Sequence, residues 1–585
     1  METTFKRWKP IEIMLAVLFL LAPFYYHPNI GGEGLRIPNN ITVWMMATII
    51  ITYSLHLVLK RPTFVVPKYF IYFAAFPILI TLSGFVTGVE QPMQWLFRLL
   101  FIWGGLAFFF SLFQHGLKQG RLDRILFVIV ISTLLHASVG IAQIWFQAHF
   151  PFWLPTSRSG ASSGFFQQIN NQATYQVTAI MMAIYLTTRP CVFLGRKWVQ
   201  GIIVLALLTA SLLVVISNST IGILTLLISL LILITALWQR LKINKQLSQI
   251  AMAAIIIGAI IGYNLDSGNA MYADNALEAG YGTVLDKTDA LRAGYSGAAR
   301  LGIYSISFDL IKQQPLAGYG IGSFGRVWQH SKPAFYAAHP DAILPAEFLG
   351  HPHNEILFWL VEGGILTGIA FVVLLVGILI SLSKLGGARG GAYFAMLLPL
   401  ILHTQIELPF YTSAIHWFLL LTILMMINNQ QLSYGENKLS RGMNVSLKGL
   451  NIIIFSASSV FLMNCAMSAV DFMNNKTDSK PLEYAKYNPY YREDIEWLSM
   501  GGLMYSNMAS GNRDNVKYAI DWAEKYALYK PTRHVHYILM DAYEYLGLKA
   551  KYCEVVIQWW AMYPTDLALH PRDTRLQQAK RTCLK

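Results

Sequence analysis

The sequence predicts an all-α membrane protein: a polytopic helical bundle of about thirteen spans with a large loop and a C-terminal helical domain on one side of the bilayer. Three observations lead to this fold class. Of 585 residues, 55% are hydrophobic and only 13% are charged, about half the charged fraction of soluble domains. Apolar runs of roughly 16–22 residues recur, long enough to cross a hydrocarbon layer of roughly 30 Å as helices. Basic residues are concentrated in alternate loops.

The predicted spans divide the chain into four regions. Residues 1–263 hold about nine spans, 264–365 form a polar loop, 366–470 hold about four spans, and 471–585 form a polar tail. Each span is an apolar run bounded by polar or turn-forming residues. The predicted spans are 11–26, 41–59, 69–86, 95–113, 125–146, 171–187, 199–216, 221–237, 248–263, 366–382, 391–408, 412–427 and 450–467.

The distribution of charge predicts the orientation. A net charge of +14 is compatible with nucleic-acid binding, but the basic residues follow the positive-inside rule instead. The N-terminus is therefore predicted to be cytoplasmic and, after an odd number of spans, the tail to be exported. The basic residues on the predicted cytoplasmic side are Lys6, Arg7, Lys9, Lys60, Arg61, Lys68, Lys118, Arg121, Arg124, Arg189, Arg196, Lys197, Arg240, Lys242, Lys245, Lys384, Arg389, Lys438, Arg441 and Lys448.

The loop at 264–365 is too long to be a simple connection, and loops of this length are usually functional. Its first part, from Asp266 to Gly297, is rich in Gly, Ala and Asp and is expected to be irregular. A helix is predicted after this part. One face of that helix should be apolar, because the spacing is helical at Leu301, Tyr304, Phe308 and Ile311.

The tail carries a repeat-like pattern that predicts a small domain of helical hairpins. Two similar stretches end at Pro531 and Pro564, 33 residues apart, which is close to the tetratricopeptide period. Such domains commonly present an interaction surface, and helical packing without repeats is the alternative. Cys553 and Cys583 also lie in the tail, where an oxidising compartment would allow a disulfide; two unpaired thiols are the other possibility.

The densest group of reactive residues is His351-Pro352-His353-Asn354-Glu355, placed where the long loop returns to the membrane. His353 is the candidate catalytic base, with His351 and Glu355 as catalytic neighbours and Asn354 as a hydrogen-bonding group for a polar substrate. A His-x-His pair can also bind zinc. However, no cysteine accompanies it and Glu355 is not at a familiar ligand spacing, so no metal is expected.

No cofactor is expected either. Gly320-Ile321-Gly322-Ser323-Phe324-Gly325 matches the letters of a dinucleotide-binding loop. In that motif the glycines follow a strand and open a helix, whereas here they follow a predicted helix within an external loop.

Two further polar clusters lie at predicted outer ends of spans. Amide side chains suit sugar hydroxyls, and ionisable residues at membrane depth are commonly functional. The candidate glycan- or acceptor-binding residues are Gln167, Gln168, Asn170, Asn171, Asn354, His403, Glu407, Tyr411 and His416. A transporter or flippase should instead carry ionisable groups at the midplane and on both faces, so the placement of these clusters argues against transport; a non-enzymatic scaffold is another alternative.

These residues carry a family resemblance. His353-Asn354, nine residues, then Gly364 and Thr367 is similar to the loop motif of bacterial O-antigen ligases. With His351-Pro352, it resembles the wider superfamily of O-antigen polymerases, O-antigen ligases and O-oligosaccharyltransferases of the PglL type. The amide cluster and the stretch from His403 to Trp417 resemble the PglL-type branch. The upstream residues that also resemble the superfamily are Arg300, Tyr304, Pro315, Leu316, Gly318, Gly320, Gly322 and Phe324.

The resemblance implies an enzyme of the bacterial inner membrane. It would transfer a preassembled glycan from a polyprenyl-diphosphate carrier, such as undecaprenyl diphosphate, to Ser or Thr hydroxyls of exported proteins on the periplasmic face. Its partners would be the lipid-linked donor, the acceptor protein and the bilayer, with no nucleic acid. An O-antigen ligase acting on lipid A core, an O-antigen polymerase and, more distantly, a transporter of lipid-linked glycans stay open as alternatives. The tail favours a protein acceptor.

One departure from the family concerns the diphosphate. The family often has an arginine after Ser-x-Ser at an external helix start, but here Thr220 follows Ser217-Asn218-Ser219. A diphosphate favours bidentate arginine partners, so other external arginines must bind it. The candidates are Arg98, Arg158, Arg292, Arg300 and Arg326.

Overall fold

The computed structural model describes residues 8–157, 162–265, 295–345, 347–478, 480–564 and 574–584. Arg158 and Arg292 lie outside the described residues, as does most of the stretch predicted to be irregular. The described residues form 22 α-helices and two short strands. The helices are Pro10–Leu20, Pro38–Val58, Phe70–Thr87, Pro92–Phe113, Gln119–Trp145, Ile169–Thr187, Pro190–Phe193, Lys197–Ile216, Thr220–Ile243, Lys245–Asn264, Tyr295–Gln313, Phe324–Ala338, Glu355–Ser383, Gly387–His403, Pro409–Thr412, Ala414–Asn428, Arg441–Asp478, Arg492–Ser510, Arg513–Tyr529, Arg533–Leu546, Lys549–Met562 and Thr574–Cys583.

The all-α, multi-pass membrane architecture is confirmed. A helix lies at each of the thirteen predicted spans, and in the described part of the chain nine helices are long and apolar enough to cross a membrane. Several begin with proline at the first turn, where its missing N–H costs no hydrogen bond; Pro38 and Pro92 are examples. Ser219 caps another by accepting from the Gly222 amide at 3.2 Å.

Two helices extend well beyond the predicted spans. The helix predicted at 366–382 begins at Glu355, and the span at 450–467 lies within the longer helix Arg441–Asp478. The residues added to the first helix are largely apolar and precede the irregular backbone at Gly364, whereas polar residues at both ends continue the second helix past its apolar run. We name Glu355–Ser383 the kinked helix, because Gly364 within it has φ 59° and ψ −152°.

The structure contains a small sheet that the sequence analysis did not predict. Strands β1 (Thr63–Pro67) and β2 (Leu432–Glu436) pair in antiparallel fashion. Each strand is only five residues long, and the two are far apart in the sequence, so no local hairpin signal marks them. The sheet joins two of the loops that carry the basic residues.

The helix Tyr295–Gln313 does not bury the apolar face of Leu301, Tyr304, Phe308 and Ile311. Leu301 is 73% exposed and Phe308 51% exposed. The buried face is instead the stripe Ala299, Ile303, Ile306 and Leu310. Both stripes are apolar at helical spacing, so periodicity cannot choose between them. Gly302 marks the packed side, because a Cβ there would lie 2.4 Å from a Leu344 methyl.

The described chain forms two compact units. The first combines Met1–Pro77, Leu100–Gly282 and Val372–Asn488. Its core is the helix Ile169–Thr187, in which every residue from Asn171 to Thr187 is buried among neighbouring helices.

The second unit combines Ile78–Leu99, Thr283–Phe371 and Pro489–Lys585, so the units do not follow the order of the predicted regions. Here the tail folds as consecutive packed helices. The first and third of them end at Gly511 and Gly547, whose φ values of 79° and 74° form left-handed caps. Cys553 and Cys583 form a disulfide with their Cα atoms 5.1 Å apart, which resolves the alternative of unpaired thiols.

Candidate active site

The His351–Glu355 motif lies directly before the kinked helix, in the second unit. Asn354 caps this helix, because its Oδ1 accepts a hydrogen bond from the Leu357 amide at 3.0 Å. The motif is thus held against the first turn of the kinked helix. Asn354, predicted to bind substrate, has this structural role as well.

His353 has an unusual backbone conformation. Its φ of 54° is in the left-handed region, which costs residues other than glycine roughly 1–3 kcal/mol and is concentrated at functional sites. The backbone amide of His353 donates to Nδ1 of His351 at 3.3 Å, and the two rings meet edge to face with centroids 4.6 Å apart. The two histidines predicted to act together are therefore neighbours.

The predicted partner Glu355 is fixed by a tryptophan one turn further along the helix. The Trp359 indole donates to Oε1 of Glu355 at 2.8 Å. This hydrogen bond occupies one of the two Glu355 carboxylate oxygens and orients the carboxylate at the start of the kinked helix. Sequence reasoning did not identify Trp359, whose i, i+4 spacing from Glu355 was the available signal.

Arg300 lies on the helix Tyr295–Gln313, which contacts the motif through Tyr304. The Tyr304 phenol and the Asn354 side chain are hydrogen-bonded. Burial raises the pKa of Tyr304, while the positive charge of nearby Arg300 opposes the shift. A guanidinium is therefore present one helical turn from a group that touches the motif.

Two other candidate arginines have carboxylate partners in the structure. Arg98 Nη1 lies 2.5 Å from Oε2 of Glu362, with both side chains buried. Arg326 pairs with Glu90 through two contacts, one of them Nε to Oε2 at 3.0 Å. Arg300 is connected to the His motif through Tyr304, and the Arg98 guanidinium lies 5.7 Å from the ring centroid of Trp359, which donates to Glu355.

Glu362 connects several elements of this unit. Besides Arg98, it accepts a hydrogen bond from the Phe324 amide at 3.2 Å, at the start of the next loop helix. The Arg98 guanidinium also lies over the Phe358 ring at 4.6 Å. A buried ion pair with additional hydrogen bonds fixes the geometry of the elements that it joins.

The first unit holds a separate polar cluster centred on Glu407. Its Oε1 accepts from the Asn170 amide at 2.8 Å, and its Oε2 accepts from the Gln168 amide. His403 Nε2 lies 3.3 Å from Oε2, while Nδ1 of the same ring lies 2.9 Å from the Thr174 hydroxyl. Four of the predicted glycan- or acceptor-binding residues therefore meet around one carboxylate. Thr174 was not identified from the sequence.

The remaining predicted residues of this cluster contribute mainly to its framework. His416 is completely buried, and its nitrogens contact the Ser413 hydroxyl at 2.8 Å and the Asn171 carbonyl at 3.0 Å. Gln167 has φ 56°, and its side-chain oxygen accepts from the Asn29 amide at 3.2 Å. Tyr411 lies half-buried in the short helix Pro409–Thr412.

No group of three or more His, Cys, Asp or Glu side chains placed to hold a metal ion occurs within the described segments.

Comparison with known protein families gives two matches. Residues 205–372, which include Arg300 and the His motif, match the family described as O-antigen ligase. Residues 392–577 match the family described as virulence factor membrane-bound polymerase, C-terminal. No curated protein matches the chain.

These matches support the superfamily of O-antigen ligases and polymerases as the class of this chain, and with it a membrane-embedded, glycan-transferring enzyme. The particular reaction within the class is a matter for proposal.

Proposed function

We propose that this protein transfers a preassembled glycan from a polyprenyl-diphosphate carrier to Ser or Thr hydroxyls of exported proteins, on the periplasmic face of a bacterial inner membrane. The observation that carries the proposal is the arrangement around His353. This residue lies on a strained backbone beside His351, and Asn354 next to it contacts the helix that carries Arg300.

The mechanism is an inverting substitution. The acceptor hydroxyl attacks the anomeric carbon, the bond from that carbon to the diphosphate oxygen breaks, and the hydroxyl proton passes to His353. A positioned base contributes roughly 10²–10⁴-fold in rate. Arg300 stabilises the charge that develops on the departing diphosphate. The leaving group is already activated, so the transfer needs no nucleotide.

The exported location is supported by two observations. A disulfide such as Cys553–Cys583 persists in oxidising compartments, which supports an exported tail. In the predicted topology, the loops that carry the basic residues lie on the opposite side of the membrane from the tail, and the positive-inside rule assigns that side to the cytoplasm.

A protein acceptor is supported by the resemblance of both polar clusters of the first unit to the PglL-type branch and by the helical tail. Chain elongation is the second candidate function, favoured by the match of residues 392–577 to a polymerase family.

Co-expression with a lipid-linked glycan pathway and candidate acceptors distinguishes these functions. We expect the intact mass of an exported acceptor to rise by one preassembled glycan. A longer lipid-linked glycan, without modified protein, would identify a polymerase. Glycan on lipid A core would identify a ligase.

His353→Ala tests the catalytic assignment. It should abolish transfer while expression and donor binding stay nearly normal, because the side chain acts on the acceptor. His351→Ala should be milder, and Arg300→Ala should raise the donor concentration required. Transfer per folded enzyme, measured with donor binding, is the readout. Near-normal specific activity in His353→Ala would contradict the assignment.

A further inference from the structure

The segment that leads into the His motif has no regular secondary structure of its own. Between the loop helix Phe324–Ala338 and His351, the described residues form turns, bends and irregular chain. Such a segment lacks the hydrogen bonds of a helix or strand and depends on contacts with other elements for its position. The position of the histidines depends on those contacts in turn.

One of these contacts is made by a buried lysine. Lys332, on the loop helix, is completely buried, and its ammonium donates to the Pro345 carbonyl at 2.9 Å, six residues before His351. A buried ammonium needs compensating partners. Pro345 supplies one, and the rings of Trp328 and Tyr563 supply two more at 5.4 Å and 4.9 Å from Nζ.

Tyr563 belongs to the tail, and its ring is itself fixed in place. Its hydroxyl donates to the Pro531 carbonyl at 2.7 Å, and the residue is completely buried. The tail therefore supplies one wall of the site that holds the Lys332 ammonium. Without that wall the ammonium would lose a favourable partner, and water would compete for its hydrogen bond to the Pro345 carbonyl.

Two further contacts join the tail to the same part of the loop. Arg533 lies 3.6 Å from Glu347, four residues before His351, although the exposure of Glu347 makes this pair weak by itself. His330 on the loop helix is hydrogen-bonded to the backbone of Leu528, and burial lowers the pKa of this histidine. All of these contacts lie within the second unit.

We propose that Lys332 and Tyr563 are positioning residues through which the C-terminal helical domain holds the segment that carries His351 and His353. The domain then contributes to the chemical step for every acceptor, in addition to any contact it makes with the acceptor itself. The consequence for catalysis rests on the proposed function, whereas the ordering of the segment does not.

The test combines hydrogen exchange with kinetics on the full-length enzyme. In Lys332→Met, which keeps the apolar stem and removes the charge, peptides covering residues 339–354 should exchange faster while tail peptides stay unchanged. Because small displacements of catalytic groups are costly, kcat should fall about 10–100-fold with the donor KM nearly unchanged. Lys332→Arg should largely restore both, since a guanidinium can keep the contacts with the carbonyl and the rings.

Lys517→Met is the matched control, because Lys517 is an exposed tail lysine paired with Asp514 on its own helix. Unchanged exchange at 339–354 in Lys332→Met would overturn the proposal, as would an equal rise across the whole protein. If the wild-type enzyme transfers no glycan, but residues 339–354 still exchange faster in Lys332→Met, the positioning role is supported and the proposed function is rejected.

Discussion

At the scale of single residues, backbone strain coincides with the predicted site. Within the described segments, three residues other than glycine have positive φ: Gln167, Asn218 and His353. Gln167 and His353 lie in polar segments that were selected on side-chain chemistry, and Asn218 lies in the Ser-x-Ser stretch that differs from the family pattern. Strain persists only where the surroundings over-determine the backbone, and such places are often functional.

The buried pair Arg98–Glu362 leads to a prediction about stability. Glu362→Met should lower the free energy of unfolding by about 3–5 kcal/mol, because it leaves the Arg98 charge buried without its carboxylate. The double variant Arg98→Met/Glu362→Met should recover most of this loss. Thermal unfolding in detergent, followed by tryptophan fluorescence, measures both.

The same double variant also tests whether Arg98 binds the donor. If the arginine serves the fold, the folded double variant keeps its requirement for donor nearly unchanged. A folded variant that needs far more donor would instead assign Arg98 to the diphosphate. Arg326→Met, which breaks a more exposed pair with Glu90, is a suitable comparison.

At the scale of elements, the glycine-rich segment of the loop has a structural role at the Gly364 kink. Backbone carbonyls of the kinked helix accept hydrogen bonds from the loop segment after Pro315. The Tyr319 and Gly320 amides donate to the carbonyls of Val361 and Glu362, each at 3.0 Å. The Thr367 hydroxyl donates to the Gly364 carbonyl at 2.7 Å. The letters that resemble a dinucleotide-binding loop thus belong to a structural junction.

Gly364→Ala should disrupt this junction. A Cβ there would lie 2.3 Å from the Leu316 carbonyl oxygen, and the left-handed backbone adds roughly 1–3 kcal/mol. We expect less folded protein, together with loss of transfer, measured by size-exclusion chromatography in detergent. Gly449→Ala, on a helix with no atom within 4 Å of the new Cβ, is the matched control and should be neutral. A well-folded Gly364→Ala enzyme would show that the kink is dispensable.

At the scale of the whole molecule, contacts in the first unit bring together the loops that carry the basic residues. Lys9 donates to the His115 carbonyl at 2.6 Å, and Arg189 pairs with Asp123 at 3.0 Å. The sheet of β1 and β2 joins two more such loops. This arrangement agrees with the alternation of loops that the charges predict.

Reporter fusions test the orientation. Fusions on the basic side should report cytoplasm and the others periplasm, because the positive-inside rule fixes the direction of insertion. The cytoplasmic set ends at His115, Phe193, Ile243, Gly386 and Ser440, and the periplasmic set at Glu90, Gly160, Leu310 and Ile520. A periplasmic signal at Ile243 or a cytoplasmic one at Ile520 would contradict the topology and the external site.

The sequence by itself indicated the class, the approximate positions of the apolar helices and the candidate site residues. The length of an apolar run and the asymmetry of charge between loops are local properties. Because the bilayer acts on each segment directly, both can be interpreted from the sequence without knowledge of tertiary contacts. The site motif was equally local, since His351, His353, Asn354 and Glu355 are adjacent in the chain.

Only the tertiary structure decided which distant residues meet. Four kinds of contact join segments that are far apart in the sequence: the ion pair of Arg98 with Glu362, the amides around Glu407, the sheet of β1 and β2, and the contact of Lys332 with Tyr563. It also chose between the two apolar faces of the helix Tyr295–Gln313. Periodicity indicates which helix faces are apolar enough to be buried. Which face is buried depends on the shape and polarity of the element that packs against it.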